Sequence, residues 1–262
     1  MGLSSMPRES PDPVSQGRDL ATQERRLVRL LEQAGPARIW RPVLHPDGRI
    51  LAPGHEDMRD GSPDVLAGIN FQDRSVLDLG CNFGYYCFLA KKLGAGHVVG
   101  VDVDPLAIQG CLLQQQLWQY RDMRFLLSEF SELALSESFD IVLLINFIGK
   151  RSLGKNIGPL LDMVAGYAGR CIILTARPKY HIRRNLCCSP EQIEHLYGSE
   201  HIQGEWFFLN SYLAAFFSPC WHMEQLSPDY PDQTIKRTYR FTKQTPNSAN
   251  SGDTIHNSPK ST

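Results

Sequence analysis

The chain has 262 residues, 42% hydrophobic and 21% charged, with a formal net charge of −1. This is the composition of an ordinary globular protein long enough for one large domain or two small ones. Charge so near zero creates no global field toward nucleic acid or anionic membrane, so any basic site has to be local.

Residues 1–20 are rich in proline, serine and charge, and residues 244–262 are almost free of aliphatic side chains. Both ends read as disordered tails around a folded part spanning 21–243. The N-terminal stretch lacks the apolar core of a secretory signal and contains acids, unlike a transit peptide. No apolar run approaches the roughly 20 residues of a membrane span. The seven cysteines (Cys81, Cys87, Cys111, Cys171, Cys187, Cys188 and Cys220) include no C-x-x-C pair. They read as reduced, mostly buried thiols of a cytoplasmic protein that needs no metal.

A first helix is predicted over Thr22–Ala34, with Leu27, Leu30, Leu31 and Ala34 on one stripe and Gly35-Pro36 as its stop. Two short strands flank the turn His45-Pro46-Asp47-Gly48. A short helix lies in "GSPDVLAGI". The pattern then alternates. A strand over Ser75–Leu79 precedes a helix over Tyr85–Leu93. A strand over Val98–Val101 precedes a helix from Leu106 to Gln119, capped by Asp104 with Pro105 in first position. Strands over Arg124–Leu127 and Phe139–Ile145 follow, then a helix over Ile157–Ala168 and a strand over Cys171–Thr175. Runs such as "DIVLLI" and "CIILT" are apolar without alternation, as in parallel strands buried on both faces. Helices over Ser189–Tyr197 and from Asn210 come next. Two last strands, in "CWHMEQLS" and "IKRTYRFTK", have no helix between them and read as an antiparallel edge pair. The fold class is α/β: a Rossmann-like, doubly wound, mostly parallel sheet.

Ligands of such a sheet bind at the carboxyl ends of its strands. The strand ending "LDLGCNFG" brings Asp78, Gly80, Asn82 and Gly84 there. The strand ending "VGVDVD" brings Asp102, 24 residues after Asp78, followed by Val103. A dinucleotide site takes G-x-G-x-x-G, and a P-loop takes Gly-Lys-Ser/Thr. Neither pattern is present, and an acid ahead of the glycines repels a diphosphate. A nucleoside without phosphates and with positive charge fits instead. S-adenosylmethionine has that chemistry: Asp78 would serve its cationic methionine end, Asp102 its ribose hydroxyls, and Val103 its adenine.

With these residues in view, "VLDLGCNFG" followed by "VVGVDVDP" resembles the donor-binding half of class I S-adenosylmethionine-dependent methyltransferases, over residues 62–243. The resemblance implies a seven-stranded sheet with an antiparallel last strand, and a methyltransferase domain at 62–243 onto which the N-terminal helix and short strands of 21–61 pack. It also implies that Glu129 and Phe130 meet the adenine, and that Asn146 and Phe147 lie beneath the methyl group. Asn82 stands where the family often has glycine; it tolerates a left-handed backbone, and its amide would bond the methionine end.

Methyl transfer demands alignment more than a fixed catalytic side chain, and none is assigned. The loops after the fourth and fifth predicted strands carry Lys150, Arg151 and Lys155, then Arg177, Lys179, His181, Arg183 and Arg184. With Tyr180 as a stacking ring, they suggest an anionic acceptor: RNA such as tRNA, or a small phosphorylated or carboxylated molecule. A second, narrower similarity is to enzymes that modify the tRNA wobble uridine with a carboxylated donor. For that donor the upstream segment offers only Arg59 as cationic partner. The group His55, Glu56 and Asp57 is a poor metal-ligand set. A small-molecule methyltransferase and a noncatalytic nucleoside-binding protein of the same fold remain the alternatives.

Overall fold

The structure is a computed structural model describing residues 13–55, 62–218 and 220–244. The predicted tails therefore lie largely outside the described residues, as do Glu56, Asp57 and Arg59.

Helix α1 covers Pro13–Ala34, and strands β1 (Val43–Leu44) and β2 (Ile50–Ala52) form a small antiparallel hairpin after it. The alternating part follows: α2 (Ser62–Ala67), β3 (Ser75–Leu79), α3 (Tyr85–Lys92), β4 (His97–Asp102), α4 (Pro105–Trp118), β5 (Met123–Leu127) and β6 (Phe139–Leu144). Next come α5 (Lys150–Leu153), α6 (Gly158–Tyr167), β7 (Ala168–Ala176) and β8 (Tyr180–His181). The chain continues with α7 (Pro190–Tyr197), β9 (Ile202–Gln203), β10 (Trp206–Phe207), α8 (Leu209–Phe217), β11 (Trp221–Gln225) and β12 (Arg237–Lys243).

The main sheet has seven strands in the order β11-β12-β7-β6-β3-β4-β5. The pairs β3–β4, β4–β5, β3–β6 and β6–β7 are parallel, whereas β12 runs antiparallel to both β7 and β11. Strand order reverses between β3 and β6, so the switch point, where such sheets bind ligands, lies beside the end of β3.

The apolar runs are buried on both faces. Leu77, Leu79, Val99, Val101, Val142 and Leu144 belong to the core shared with α6 and α8. Val76, Val98, Ile141, Leu143 and Ile173 belong to the core shared with α3. A third core joins α1 to α4: Leu27, Leu30 and Leu31 pack with Ile39, Val43, Phe83, Leu113 and Leu117. Each such leucine contributes about 1.5–3 kcal/mol by leaving water, so the N-terminal unit is firmly seated on the sheet domain.

Two expectations are corrected. Helix α1 starts at Pro13, inside the predicted tail, because proline is accepted in the first turn and Leu20 extends the apolar stripe onto the third core. A separate three-stranded sheet, β8-β10-β9, stands above the carboxyl end of β7. Its strands have two residues each, too short to show a period-two pattern.

Candidate active site

The turn after β3 is fixed from below, where the Gly80 and Cys81 N–H groups both donate to the Val101 carbonyl, at 2.9 and 3.0 Å. Gly80 has φ of 78°, and a methyl group there would lie 3.0 Å from the Phe147 ring. The left-handed φ calls for glycine, and a larger residue would also displace the Phe147 ring. Gly84, with φ of 80°, is the N-cap of α3. The carbonyl edge of β6 thus meets the turn of β3 through Phe147.

Asp102 is the oriented acid of the crevice. Its Oδ2 accepts the Asn82 N–H at 2.7 Å and its Oδ1 the Asp104 N–H at 2.9 Å. A carboxylate has about four acceptor positions, so both oxygens retain capacity for a diol. Val103 follows with 58% of its surface exposed, and Leu127, paired across from Asp102 in β5, is 57% exposed. The Ser128 N–H donates to the Asp102 carbonyl at 3.0 Å, which brings the Glu129–Phe130 segment to the same edge. Glu129 is exposed, and the Phe130 ring lies 4.8 Å from that of Phe147. An oriented carboxylate flanked by bare Val103 and Leu127, with no phosphate cradle, suits a nucleoside.

Asp78 behaves otherwise than expected. It is 1% exposed, and its Oδ2 accepts the Cys87 thiol at 3.2 Å, between β3 and α3. Burial, then the neighbouring Cys81 and Asp102, raises its carboxyl well above the ordinary carboxylate range. It therefore braces the turn from inside rather than facing the cationic end of a donor, and Asp102 is the acid that stands at the crevice.

Two amides are also engaged elsewhere. The Asn82 side chain accepts from the Trp40 N–H at 3.1 Å and donates to the Arg38 carbonyl at 2.9 Å, so it holds the N-terminal segment, not the methionine end. Asn146 has φ of 58°; its N–H donates to Thr175 Oγ1 at 2.6 Å, and its Oδ1 accepts the Thr175 hydroxyl at 3.1 Å. Its oxygen faces β7, leaving Phe147 as the residue of that loop on the turn.

On the acceptor side, α5 packs against the π-helical turn Ile182–Leu186, so the basic segments after β6 and β7 meet. Lys150 and Arg151 are exposed; Arg177 and Lys179 are half-buried. Among the described residues no carboxylate forms an ion pair with any of these four, nor with Lys155 or Arg184, whereas Arg183 reaches Glu205 at 3.6 Å. Lys179 Nζ lies 4.8 Å from the Trp206 ring centroid and 5.5 Å from that of Phe208. Tyr180 and His181 are corrections. Their pairing with β10 turns both inward; Tyr180 is 2% exposed, and His181 Nε2 lies 3.3 Å from Glu205. Neither ring is open to stacking, whereas Trp206 on the paired strand is 38% exposed. Arg38, Trp40, Leu127 and Trp206's pairing with Lys179 carry no sequence signal, since each depends on contacts between distant segments.

Among the described residues, no cluster of three or more His, Cys, Asp or Glu side chains is placed to hold a metal, and His55 packs edge-on against Trp40 at 4.5 Å. No helix among them is long and apolar enough to cross a membrane.

Residues 70–195 match the family model described as a methyltransferase domain. The chain is 29% identical over 117 residues to the ribosomal protein L11 methyltransferase of Porphyromonas gingivalis, covering 45% of this chain and 37% of that one. It is 42% identical over 78 residues to the protein of that name from Methylobacillus flagellatus, covering 27% and 26%. It thus spans well under half the length of the curated relatives it matches. Among solved structures, the N-terminal domain of EvdMO1, crystallised with SAH and D-fucose, superposes with a TM-score of 0.61 at 14% identity, covering 86% of this chain and 97% of that one. Residues 70–195 thus match a methyltransferase domain, and the fold is the one that the EvdMO1 domain shares.

Proposed function

We propose that the chain transfers a methyl group from S-adenosylmethionine to an anionic acceptor, with RNA as the leading class. Bound at the crevice, the donor supplies a methyl group on a sulfonium whose displacement leaves a neutral thioether. Asp102 would receive the ribose hydroxyls, Val103 and Leu127 the faces of the base, and the backbone of the Gly80–Gly84 turn the methionine arm. Phe147 and Phe130 would keep water from the methyl group, where a dry, aligned approach governs the rate.

One observation carries the acceptor class. Lys150 and Arg151 follow β6, Arg177 and Lys179 follow β7, and among the described residues no carboxylate lies within ion-pair distance of any of them. Cations with no carboxylate at ion-pair distance attract a polyanion, and two separate basic segments match an extended phosphate backbone better than a single charge. Trp206 beside Lys179 adds a ring for a base. A protein acceptor is the second reading, favoured by the relatives named ribosomal protein L11 methyltransferases.

Incubation with methyl-labelled donor and fractionated extract tests both. Label in RNA, lost on nuclease treatment, supports the first reading. Label in protein, lost on protease treatment, supports the second. Label confined to small metabolites removes both.

A further inference from the structure

We infer that residues 35–41 form a fourth wall of the donor site, and that Asn82 is the positioning residue that latches them there. The inference rests on the donor reading above. Asn82 is where three parts meet. Its backbone is left-handed, with φ of 48°. Its N–H holds the Asp102 carboxylate at 2.7 Å, and its carbonyl accepts the Cys111 thiol at 3.2 Å. Its side chain makes the two bonds to Arg38 and Trp40 already described.

The adjacent residue acts in the same direction. Phe83 inserts into the core between α1 and α4, against Gly110, where a methyl group would lie 2.6 Å from the ring. The Phe83 carbonyl accepts from buried Gln114 at 2.8 Å. The turn therefore directs consecutive side chains, Asn82 and Phe83, into the N-terminal unit. Across the same edge, Arg38 Nη1 lies 3.6 Å from Asp104 Oδ2, two residues past Asp102. Trp40 keeps 47% of its surface exposed although its N–H is tied down. Residues 35–41 lie outside the matched domain of 70–195.

A residue that grips the segment with its side chain and the ribose acid with its backbone couples the two. Ligand that fixes the turn fixes the segment, and a fixed segment lowers the ordering cost of binding. Asn82→Gly tests this cleanly, because glycine keeps the left-handed φ and removes only the latch.

The experiment combines calorimetric titration of the full chain with S-adenosylhomocysteine and amide hydrogen exchange with and without that ligand. In the wild type, ligand slows exchange across 35–41. In Asn82→Gly, affinity falls about tenfold, the loss expected for two hydrogen bonds, and protection of 35–41 disappears while that of β3 and β4 persists. Arg49→Ala, which cuts the 2.7 Å pair with Glu24 in the same N-terminal unit, leaves affinity and protection at wild-type values. The inference is overturned if the wild type binds but 35–41 exchange at an unaltered rate, or if Asn82→Gly binds as tightly as the wild type. Absence of wild-type binding overturns the donor reading itself, and this inference with it.

Discussion

The main-chain N–H of Asn82 donates to Asp102 Oδ2 at 2.7 Å, fastening the glycine turn of β3 to the acid at the end of β4. One hydrogen bond thereby ties the conformation of the glycine turn to the orientation of that carboxylate.

Asp102→Ala removes the diol acceptor and leaves the N–H groups of Asn82 and Asp104 without their carboxylate. The expected loss in S-adenosylhomocysteine affinity is about 1.5–3 kcal/mol, the range for hydrogen bonds to a charged group. Calorimetry compares it with Asp78→Asn, whose effect on binding is smaller because Asp78 lies beneath the turn. Equal losses in the two variants contradict this assignment.

Asp78 also makes a prediction about stability and pH. Burial, followed by the nearby Cys81 and Asp102, raises its folded-state value well above the 3.8 of an ordinary aspartate. Between those values the folded protein keeps a proton that the unfolded chain releases. Stability is therefore highest below the ordinary value and declines as pH rises toward the folded one. Asp78→Asn, neutral at every pH, lacks this decline. Its Tm from thermal unfolding exceeds that of the wild type at pH 8, and the difference shrinks as pH falls toward 4. A wild-type advantage at pH 8 contradicts the raised value of the buried carboxyl.

The acceptor reading turns on charge without change in the donor site. Reversing both Lys150 and Arg151 to glutamate weakens retention of the labelled RNA acceptor and lowers the slope of log affinity against log salt by about 2, one for each cation removed. S-adenosylhomocysteine affinity stays at the wild-type value. An unaltered salt slope removes these two residues from the acceptor surface.

Thiol accessibility checks how the turn is packed. Cys187 and Cys220 are exposed, whereas Cys81, Cys87 and Cys111 are buried under the glycine turn. Burial pushes the Cys87 and Cys111 thiols up, which further suppresses the reactive thiolate. Alkylation of the native protein followed by peptide mapping finds label at Cys187 and Cys220 early and at the three buried residues only on unfolding. Early label at Cys111 contradicts the packing.

The parallel strands were legible because burial on both faces leaves an unmistakable apolar run, as in Phe139–Leu144. The strand-end acids and glycines were legible because Gly80 and Asp102 obey backbone rules that act locally. The direction of Asp78, the engagement of Asn82 by Arg38 and Trp40, and the inward turn of Tyr180 were not. Each is decided by a partner at least nine residues away, or by strands of two residues that carry no periodic signal. Local pattern located the crevice; tertiary contact decided which side chains face it.

The central claim is that the crevice bounded by the Gly80–Gly84 turn, Asp102 and Val103 binds an adenosine-linked sulfur donor. Isothermal titration of the wild-type chain with S-adenosylhomocysteine tests it most directly. The account predicts one saturable site with Kd of about 1–100 μM, weakened by Asp102→Ala. No heat and no saturation at about millimolar ligand, with the chain folded, would contradict it.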